Sequence, residues 1–261
     1  MSTSNRQFSL ALEALAELKV ETSSLATPLV PAAPALSEVL TELGALPREA
    51  LFLGIASDGL PVLLNLLDPL PGPILVTGDD GSGKTIFLQT IAQAVTQTHK
   101  ADDVQFGIIT PNADEWSFLD AAPHRVGIFS PHHESAQEFL LSLASWAHSN
   151  KNTRQSVLVL IDDLESVASL DFDTLQNLRW LLLRGPSRRV WPIITMNAGR
   201  YGQVISWIQN FRTRIFGRIE DERVAMALGG DRASALDQLQ ADIQFSLREN
   251  GNWLRFWLPS L

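Results

Sequence analysis

The stretch PILVTGDDGSGKT, residues 73–85, decides the fold of this 261-residue chain. A short apolar run, PILV, leads into Gly78, four further residues, and then Gly83, Lys84 and Thr85. This spacing is the phosphate-binding loop pattern, in which a glycine-rich turn joins a buried strand to the N-terminus of a helix. Backbone N–H groups and the helix dipole favour an anion there. The stretch therefore predicts a site for a nucleoside triphosphate.

Each residue type in the loop has a physical role. Gly81 and Gly83 let the backbone curl so that its N–H groups face the phosphates. Lys84 supplies a point charge for the terminal phosphates, and the Thr85 hydroxyl is a ligand for Mg²⁺. Asp79 and Asp80 add two carboxylates, which we expect to face solvent and to weaken affinity. The predicted nucleotide-binding residues are Gly78, Asp79, Asp80, Gly81, Ser82, Gly83, Lys84, Thr85 and Ile86.

Two later apolar runs end in polar side chains. SVLVLIDD ends at Asp162, a candidate Mg²⁺ ligand, and Asp163, a candidate base that orients the attacking water. The ends of parallel strands point to the ligand crevice, although both acids could instead simply begin a helix. IITMN ends at Asn197, a candidate sensor of the γ-phosphate, although asparagine is also a common turn residue.

From Leu51 onward, apolar runs alternate with helical patterns. LFLGIASDGLPVLLNL predicts a hairpin turning at Asp58–Gly59, with Pro61 favouring an edge strand. Helices are expected over 84–98, 134–149, 173–185 and 202–211, between near-continuous apolar strands. In the tail, TRIFGRI, ADIQFSLREN and NWLRFWLP suggest antiparallel strands at one edge, with a turn at Asn250–Gly251. The fold class is therefore α/β, a mostly parallel sheet sandwiched by helices with antiparallel edge strands at the C-terminus.

The first fifty residues have a different composition. Residues 5–19 have helical apolar spacing, ETSSLATPLVPAAP reads as a linker, and ALSEVLTELG predicts a short helix that ends at Gly44. Neither helix buries much by itself. We therefore divide the chain into a segment 1–50, which docks on the main body, another subunit or a protein partner, and a nucleotide-binding domain 51–261.

Bulk composition limits the class of protein. With 45% apolar and 19% charged residues the chain is globular, and without cysteine it has no disulfide or thiolate metal site. No apolar run is long enough to cross a membrane and the N-terminus lacks a signal-peptide layout, so we expect a cytoplasmic protein. The net charge of −9 argues against a general nucleic-acid coat. Ten arginines lie between Arg179 and Arg232, either on ordinary surface elements or facing phosphate.

With these elements in order, residues Leu53 to Pro259 resemble the motor domain of FtsK/HerA-type P-loop ATPases. The likeness rests on LGIASDGLPVLLNL with the phosphate loop, GIITPNADEWSFLDAAPHRVGIFS, VLVLIDDLESV, and LRWLLLRGPSRRVWPIITMNAGR with the segment that follows it. The resemblance implies a RecA-like, additional-strand (ASCE) P-loop fold, ATP with Mg²⁺, and a homo-oligomeric ring, usually a hexamer, that moves double-stranded DNA. It also implies an arginine acting on a neighbour's nucleotide, for which Arg184, Arg188 and Arg189 are candidates and Arg214 a weaker one.

Two departures from the family pattern bear on the rate of hydrolysis. The family usually has Glu where this chain has Asp163 and Gln where it has Asn197, so both side chains are one methylene shorter. We expect slower hydrolysis rather than lost binding. Three functions stay open: an ATP-driven ring motor acting on DNA, a nucleotide-controlled regulatory or scaffold protein, and a small-molecule kinase, which would need an arginine-bearing lid.

Overall fold

A computed structural model describes residues 33–149, 153–249 and 252–261. The helix expected over 5–19, its linker and the Asn250–Gly251 turn lie outside the described residues. Residues 34–261 form one compact unit built on a single sheet. Within the described part of the chain, no helix is both long and apolar enough to cross a lipid bilayer.

The strands form one sheet that has a parallel part and an antiparallel part. In chain order they are β1 (Ala50–Ala56), β2 (Pro61–Asn65), β3 (Ile74–Gly78), β4 (Val104–Ile109), β5 (Arg125–Phe129), β6 (Ser156–Ile161), β7 (Val190–Asn197), β8 (Thr213–Phe216), β9 (Gln244–Glu249) and β10 (Asn252–Trp257). Their spatial order is β2-β1-β10-β9-β8-β3-β7-β6-β4-β5. Six neighbouring strands are parallel to one another: β8, β3, β7, β6, β4 and β5. The other four, β2, β1, β10 and β9, pair antiparallel, and β9 also pairs antiparallel with β8.

Helices cover both faces. They are α1 (Leu36–Leu43), α2 (Lys84–Thr98), α3 (Glu134–Ser149), α4 (Leu164–Val167), α5 (Phe172–Arg184), α6 (Ile205–Ile208) and α7 (Glu222–Ala227). The predicted bounds of α2 and α3 are confirmed. The single helix expected over 202–211 is wrong: a 3₁₀ helix, Ala198–Gln203, precedes the one-turn α6, because Val204 between them leaves the helical conformation.

The central strands are mostly apolar because both faces of the sheet are covered. All side chains of β3 and β6 are buried. On one face α3 and α5 complete an apolar core, and on the other face α2 does so. Strand β7 lies between β3 and β6, so the expected additional-strand arrangement and the α/β fold class are confirmed. The carboxyl ends of β3, β6 and β7 meet at one edge of the sheet.

The tail differs from expectation in two respects. Strand β8 pairs antiparallel with β9, as the sequence suggested, but it pairs parallel with β3 on its other side. Strands β9 and β10 are antiparallel as expected, but the β1–β2 hairpin lies outside them and forms the edge. The reason is that every residue of β1 is buried, so this strand needs a partner on both sides. Strand β2 begins at Pro61 and alternates buried with exposed positions, as an edge strand can.

Helix α1 packs on the main body. Its Val39 and Leu40 join an apolar cluster with Phe52 and Ile55 of β1. The helix ends at Gly44, whose φ of +70° favours glycine, as the sequence predicts. Residues 34–50 thus belong to the same compact unit as the remainder of the described chain. A protein partner for residues 1–50 stays a prediction.

Gly107 in β4 should tolerate no side chain. A Cβ there would collide with the ring of Phe139 on α3, which is itself stacked on Phe129 with ring centroids 4.7 Å apart. We expect Gly107→Ala to lower the free energy of unfolding by about 1–3 kcal/mol, because the core must move to make room. Urea denaturation measures this. Gly202→Ala is the matched control, since a Cβ there meets nothing within 4 Å; equal losses in the two variants would refute the packing argument.

Candidate functional site

The phosphate loop joins β3 to α2 through two glycines in the left-handed region. Gly81 has φ +70° and Gly83, the N-cap of α2, has φ +87°. A Cβ on Gly83 would also lie 2.5 Å from the Cα of Asp242. Glycine is therefore required at position 83 for both its conformation and the space around it. The loop leads directly into the first turn of α2, where unpaired N–H groups attract an anion.

Lys84 folds back over this loop. Its Nζ donates to the carbonyl oxygen of Asp79 at 2.7 Å and lies 3.5 Å from the Ser82 hydroxyl. Burial lowers the pKa of Lys84, and the carboxylates of Asp80 and Asp162 act in the opposite direction. The ammonium group is thus held in a partly desolvated position, where its attraction for an anion is stronger than in water.

Asp162 joins the acid-bearing strand to the phosphate loop. The Thr85 hydroxyl donates to its carboxylate, with distances of 3.0 and 3.2 Å to the two oxygens, and the Thr195 hydroxyl donates at 2.9 Å. Burial raises the pKa of Asp162, while these two hydrogen bonds lower it. A hydroxyl and a carboxylate in contact fit Mg²⁺, which prefers oxygen ligands and keeps several of its waters. No cluster of three or more His, Asp or Glu side chains suited to a metal occurs among the described residues.

Asp163, the second acid after β6, caps the short helix α4. Its φ is +83°, its N–H donates to the Thr195 hydroxyl at 2.7 Å, and its carboxylate accepts from the N–H of Glu165 at 3.2 Å. The helix-cap alternative raised by the sequence therefore applies to Asp163. It does not apply to Asp162, whose carboxylate contacts Thr85 and Thr195 instead.

Glu165 is a site residue that the sequence analysis missed. Its Oε1 accepts from the N–H of Asn197 at 2.9 Å, and its Oε2 is buried without a hydrogen-bond partner. Burial, followed by the neighbouring Asp163 carboxyl, raises the pKa of Glu165 to about 8. The only sequence signal was a third acid soon after Asp162, which is commonplace in a first helical turn.

The raised pKa of Glu165 predicts a pH-dependent stability. As the pH rises from 4.5 toward 8, the native state keeps a proton that the unfolded chain has lost. The free energy of unfolding of the wild type should therefore fall relative to that of Glu165→Gln, and level off above pH 8. Urea denaturation at several pH values checks this, with exposed Glu42→Gln as control. A difference between wild type and Glu165→Gln that stays constant with pH would contradict the assignment.

Asp80 is exposed, as expected, whereas Asp79 is half-buried, and both carboxylates accept hydrogen bonds. The Asp79 carboxylate accepts from the N–H of Glu220 at 2.8 Å. The Asp80 carboxylate accepts from the side-chain amide of Asn197, whose own oxygen accepts from Gly199. Each carboxylate thus finds a donor outside the loop, which offsets its proximity to the phosphate-binding backbone.

These residues surround one cavity of about 440 Å³ at the carboxyl edge of the sheet. It brings together most of the loop and strand-end residues predicted from the sequence, but not Gly78, Asp79 and Ser82. It adds five residues that the sequence analysis did not single out: Pro111, Asn112, Thr195, Arg200 and Asp242. The lining comprises Asp80, Gly81, Gly83, Lys84, Thr85, Ile86, Pro111, Asn112, Asp162, Asp163, Thr195, Asn197, Arg200 and Asp242.

The candidate trans-acting arginines lie elsewhere. Arg188 ends a 3₁₀ helix and Arg189 precedes β7 at its amino end, the edge of the sheet opposite the cavity, so they do not serve the site of their own chain. Arg184 is exposed at the end of α5. The half-buried guanidinium of Arg214 donates to the carbonyl oxygens of Leu228 and Ile208 within the chain.

Comparison with known proteins agrees with this geometry. Residues 53–164 match the model of the FtsK/SpoIIIE family. No curated protein matches the chain in sequence. The matched segment includes the phosphate loop, Asp162 and Asp163. The match confirms the resemblance inferred from the sequence.

Solved structures share the fold. The cytoplasmic domain of the type VII secretion ATPase EccC from Thermomonospora curvata is 16% identical, with a TM-score of 0.69 over 88% of this chain and 28% of that one. EssC (ATPases 2 and 3) from Geobacillus thermodenitrificans is 16% identical, with a TM-score of 0.70 over 90% and 48%. The pCW3 conjugation coupling protein TcpA, a monomer form with ATPγS, is 16% identical, with a TM-score of 0.62 over 87% and 70%.

The chain spans between 28% and 48% of the first three structures that it matches. At 16% identity, the EccC, EssC and TcpA structures show only that the chain shares their fold. Together with the family match, this shared fold supports an ATPase domain of the FtsK type.

Proposed function

We propose that this chain binds ATP with Mg²⁺ in the described cavity and hydrolyses it. The observation that carries the proposal is the contact of Thr85 with Asp162, which brings the two oxygen ligands expected for Mg²⁺ together beside Lys84. A glycine-rich strand-to-helix turn without this second element would be an ordinary turn. With it, the phosphate loop and the acid-bearing strand form one site.

The residues then have distinct roles. The loop N–H groups and Lys84 bind the β- and γ-phosphates, while Thr85 and Asp162 hold the metal, which would neutralise charge on the phosphate oxygens. Asp163 orients the attacking water, and Asn197 senses the γ-phosphate by exchanging its bond to Asp80 for one to the nucleotide. Because Asp163 is held as a helix cap and is shorter than Glu, we expect slow turnover.

A ring motor acting on double-stranded DNA is the larger function that we propose. The exposed or half-buried arginines Arg184, Arg188 and Arg189 lie at the edge opposite the cavity. From there they cannot act in cis, but a neighbouring subunit in a ring, such as a hexamer, could present its cavity to them. One of the matched proteins, TcpA, is a conjugation coupling protein.

One preparation tests this function. ATPase rate is measured with and without duplex DNA, alongside the mass in solution with and without Mg-ATP. A ring motor predicts assembly and stimulation of turnover by DNA. A chain that stays monomeric and turns over ATP slowly regardless of DNA would overturn the motor while leaving ATP hydrolysis standing.

A nucleotide-controlled regulatory or scaffold protein is the second candidate. The bond from the Asn197 amide to Asp80 favours it, because the candidate sensor already has a partner within its own loop. Nucleotide must displace that bond before Asn197 can contact a phosphate. ATP-driven assembly without DNA-stimulated turnover would select this function.

Asp80→Ala should raise both affinity and turnover. The change frees the Asn197 amide and removes a negative charge from the cavity, so we expect ATP affinity and kcat to rise about threefold to tenfold, of the order of one hydrogen bond. Isothermal titration and steady-state ATPase assays measure the two quantities. Asp79→Ala, which leaves Asn197 engaged, should not raise kcat; a rate for Asp80→Ala at or below that of the wild type would refute the argument.

A further inference from the structure

Asp242 lines the cavity from the side of the sheet that carries no catalytic acid. It lies in the turn before β9, and β9 is antiparallel to β8, so its amino end is at the same edge as the phosphate loop. In the sheet, β6 and β7, which end in Asp162 and Asn197, lie on one side of β3, whereas β8 and β9 lie on the other.

This placement sets the direction of a bound nucleotide. A triphosphate whose terminal phosphate faces Asp162, Asp163 and Asn197 must extend its nucleoside end away from β6. Asp242 lies beyond the loop in that direction. Its backbone packs against Gly83, the N-cap of α2, so it borders the first turn of the helix. Along this direction, the part of a nucleotide that follows the phosphates is the sugar.

Two hydrogen bonds close the turn that carries Asp242. The N–H of Gln244 donates to the Gln240 carbonyl at 2.9 Å, and the Gln240 N–H donates to the Gln244 side chain at 3.0 Å. Asp242 between them has φ +64°, a conformation that non-glycine residues rarely adopt and that Asp and Asn tolerate best. Asp242 is an exposed residue and lines the cavity.

We infer that the Asp242 carboxylate accepts hydrogen bonds from the ribose hydroxyls of the nucleotide and so makes the site selective for ribonucleotides. A carboxylate would repel phosphate, but it is the acceptor suited to a sugar diol. The same pairing of acid with ribose hydroxyl is used in dinucleotide-binding folds. This inference rests on the proposed function, since it names a specificity determinant of the same site.

The test compares binding of ATP and 2′,3′-dideoxy-ATP, with Mg²⁺, to the full chain. Asp242→Gly removes the side chain and keeps the positive φ, and Asp242→Asn keeps the shape without the charge. We expect the wild type to bind ATP about tenfold more tightly than the dideoxy nucleotide, the size of a charge-assisted hydrogen bond. Asp242→Gly should weaken ATP binding by about the same factor and leave dideoxy-ATP affinity unchanged. Asp242→Asn should be intermediate in its ATP affinity.

Further measurements distinguish a failure of the ribose inference from a failure of the proposed function. Asp237→Asn, exposed and outside the cavity, should behave as the wild type. Unchanged dideoxy-ATP affinity in Asp242→Gly shows that the variant is folded. Equal affinities of the wild type for the two nucleotides, or an undiminished preference in Asp242→Gly, would overturn the ribose inference alone. A wild type that binds neither nucleotide would overturn the proposed function instead.

Discussion

Lys84→Ala should reduce ATP affinity by at least tenfold and turnover by about 10²- to 10³-fold. Lys84 is the cation that projects over the phosphate loop, and Nζ is held at 2.7 Å from the Asp79 carbonyl. Burial lowers its pKa, so the site already bears the cost of desolvating this group, and a bound polyphosphate offsets that cost. In Lys84→Ala the loop N–H groups remain, but the positive charge for the terminal phosphates is lost.

Equilibrium titration with ATP and a steady-state phosphate-release assay measure both losses. Lys100→Ala is the matched control, because Lys100 is an exposed lysine just beyond α2. Thermal denaturation should show Lys84→Ala to be as stable as the wild type or more so, since a partly buried charge is removed. ATP binding and turnover equal to those of Lys100→Ala would remove Lys84 from the site.

Asp162→Asn should lower Mg²⁺-dependent turnover by about 10²-fold or more while the protein stays folded. An amide is a far poorer magnesium ligand than a carboxylate. Its oxygen can still accept from the hydroxyls of Thr85 and Thr195, which now donate to Asp162. Because burial raises the pKa of Asp162, the neutral substitute removes an unfavourable buried charge.

Turnover measured across a range of Mg²⁺ concentrations checks this prediction. The half-saturating Mg²⁺ concentration should rise for Asp162→Asn and stay unchanged for Asp102→Asn, an exposed control. Affinity for ATP without Mg²⁺ should be similar in all three proteins, which separates metal binding from nucleotide binding. An unaltered Mg²⁺ dependence would place the metal on other ligands.

Local patterns in the sequence were sufficient for the fold and for half of the site. The bounds of α2 and α3 follow from apolar periodicity and from the phosphate-loop spacing. The same patterns predict the strands that bring the phosphate loop, Asp162 and Asn197 to one edge. Strands buried on both faces have a strong signal because every residue in them is apolar. The direction of β8 and the position of β9 and β10 have no such signal, since pairing partners distant in sequence decide them.

The remainder of the site depends on contacts between segments far apart in the chain. Glu165 became a site residue through the N–H of Asn197. Asp242 reaches the cavity only because β9 pairs with β8. Each of these is an acid in a loop or a first helical turn, where aspartate and glutamate are common for local reasons alone. Composition and spacing therefore gave no reason to choose them.

The most direct test of the account is a crystal structure of the full chain with Mg²⁺ and a non-hydrolysable ATP analogue. We predict the terminal phosphates at Lys84 and the metal between Thr85 and Asp162, with the Asn197 amide released from Asp80. A nucleotide bound outside this cavity, or a metal held by carboxylates other than Asp162, would contradict the central claim.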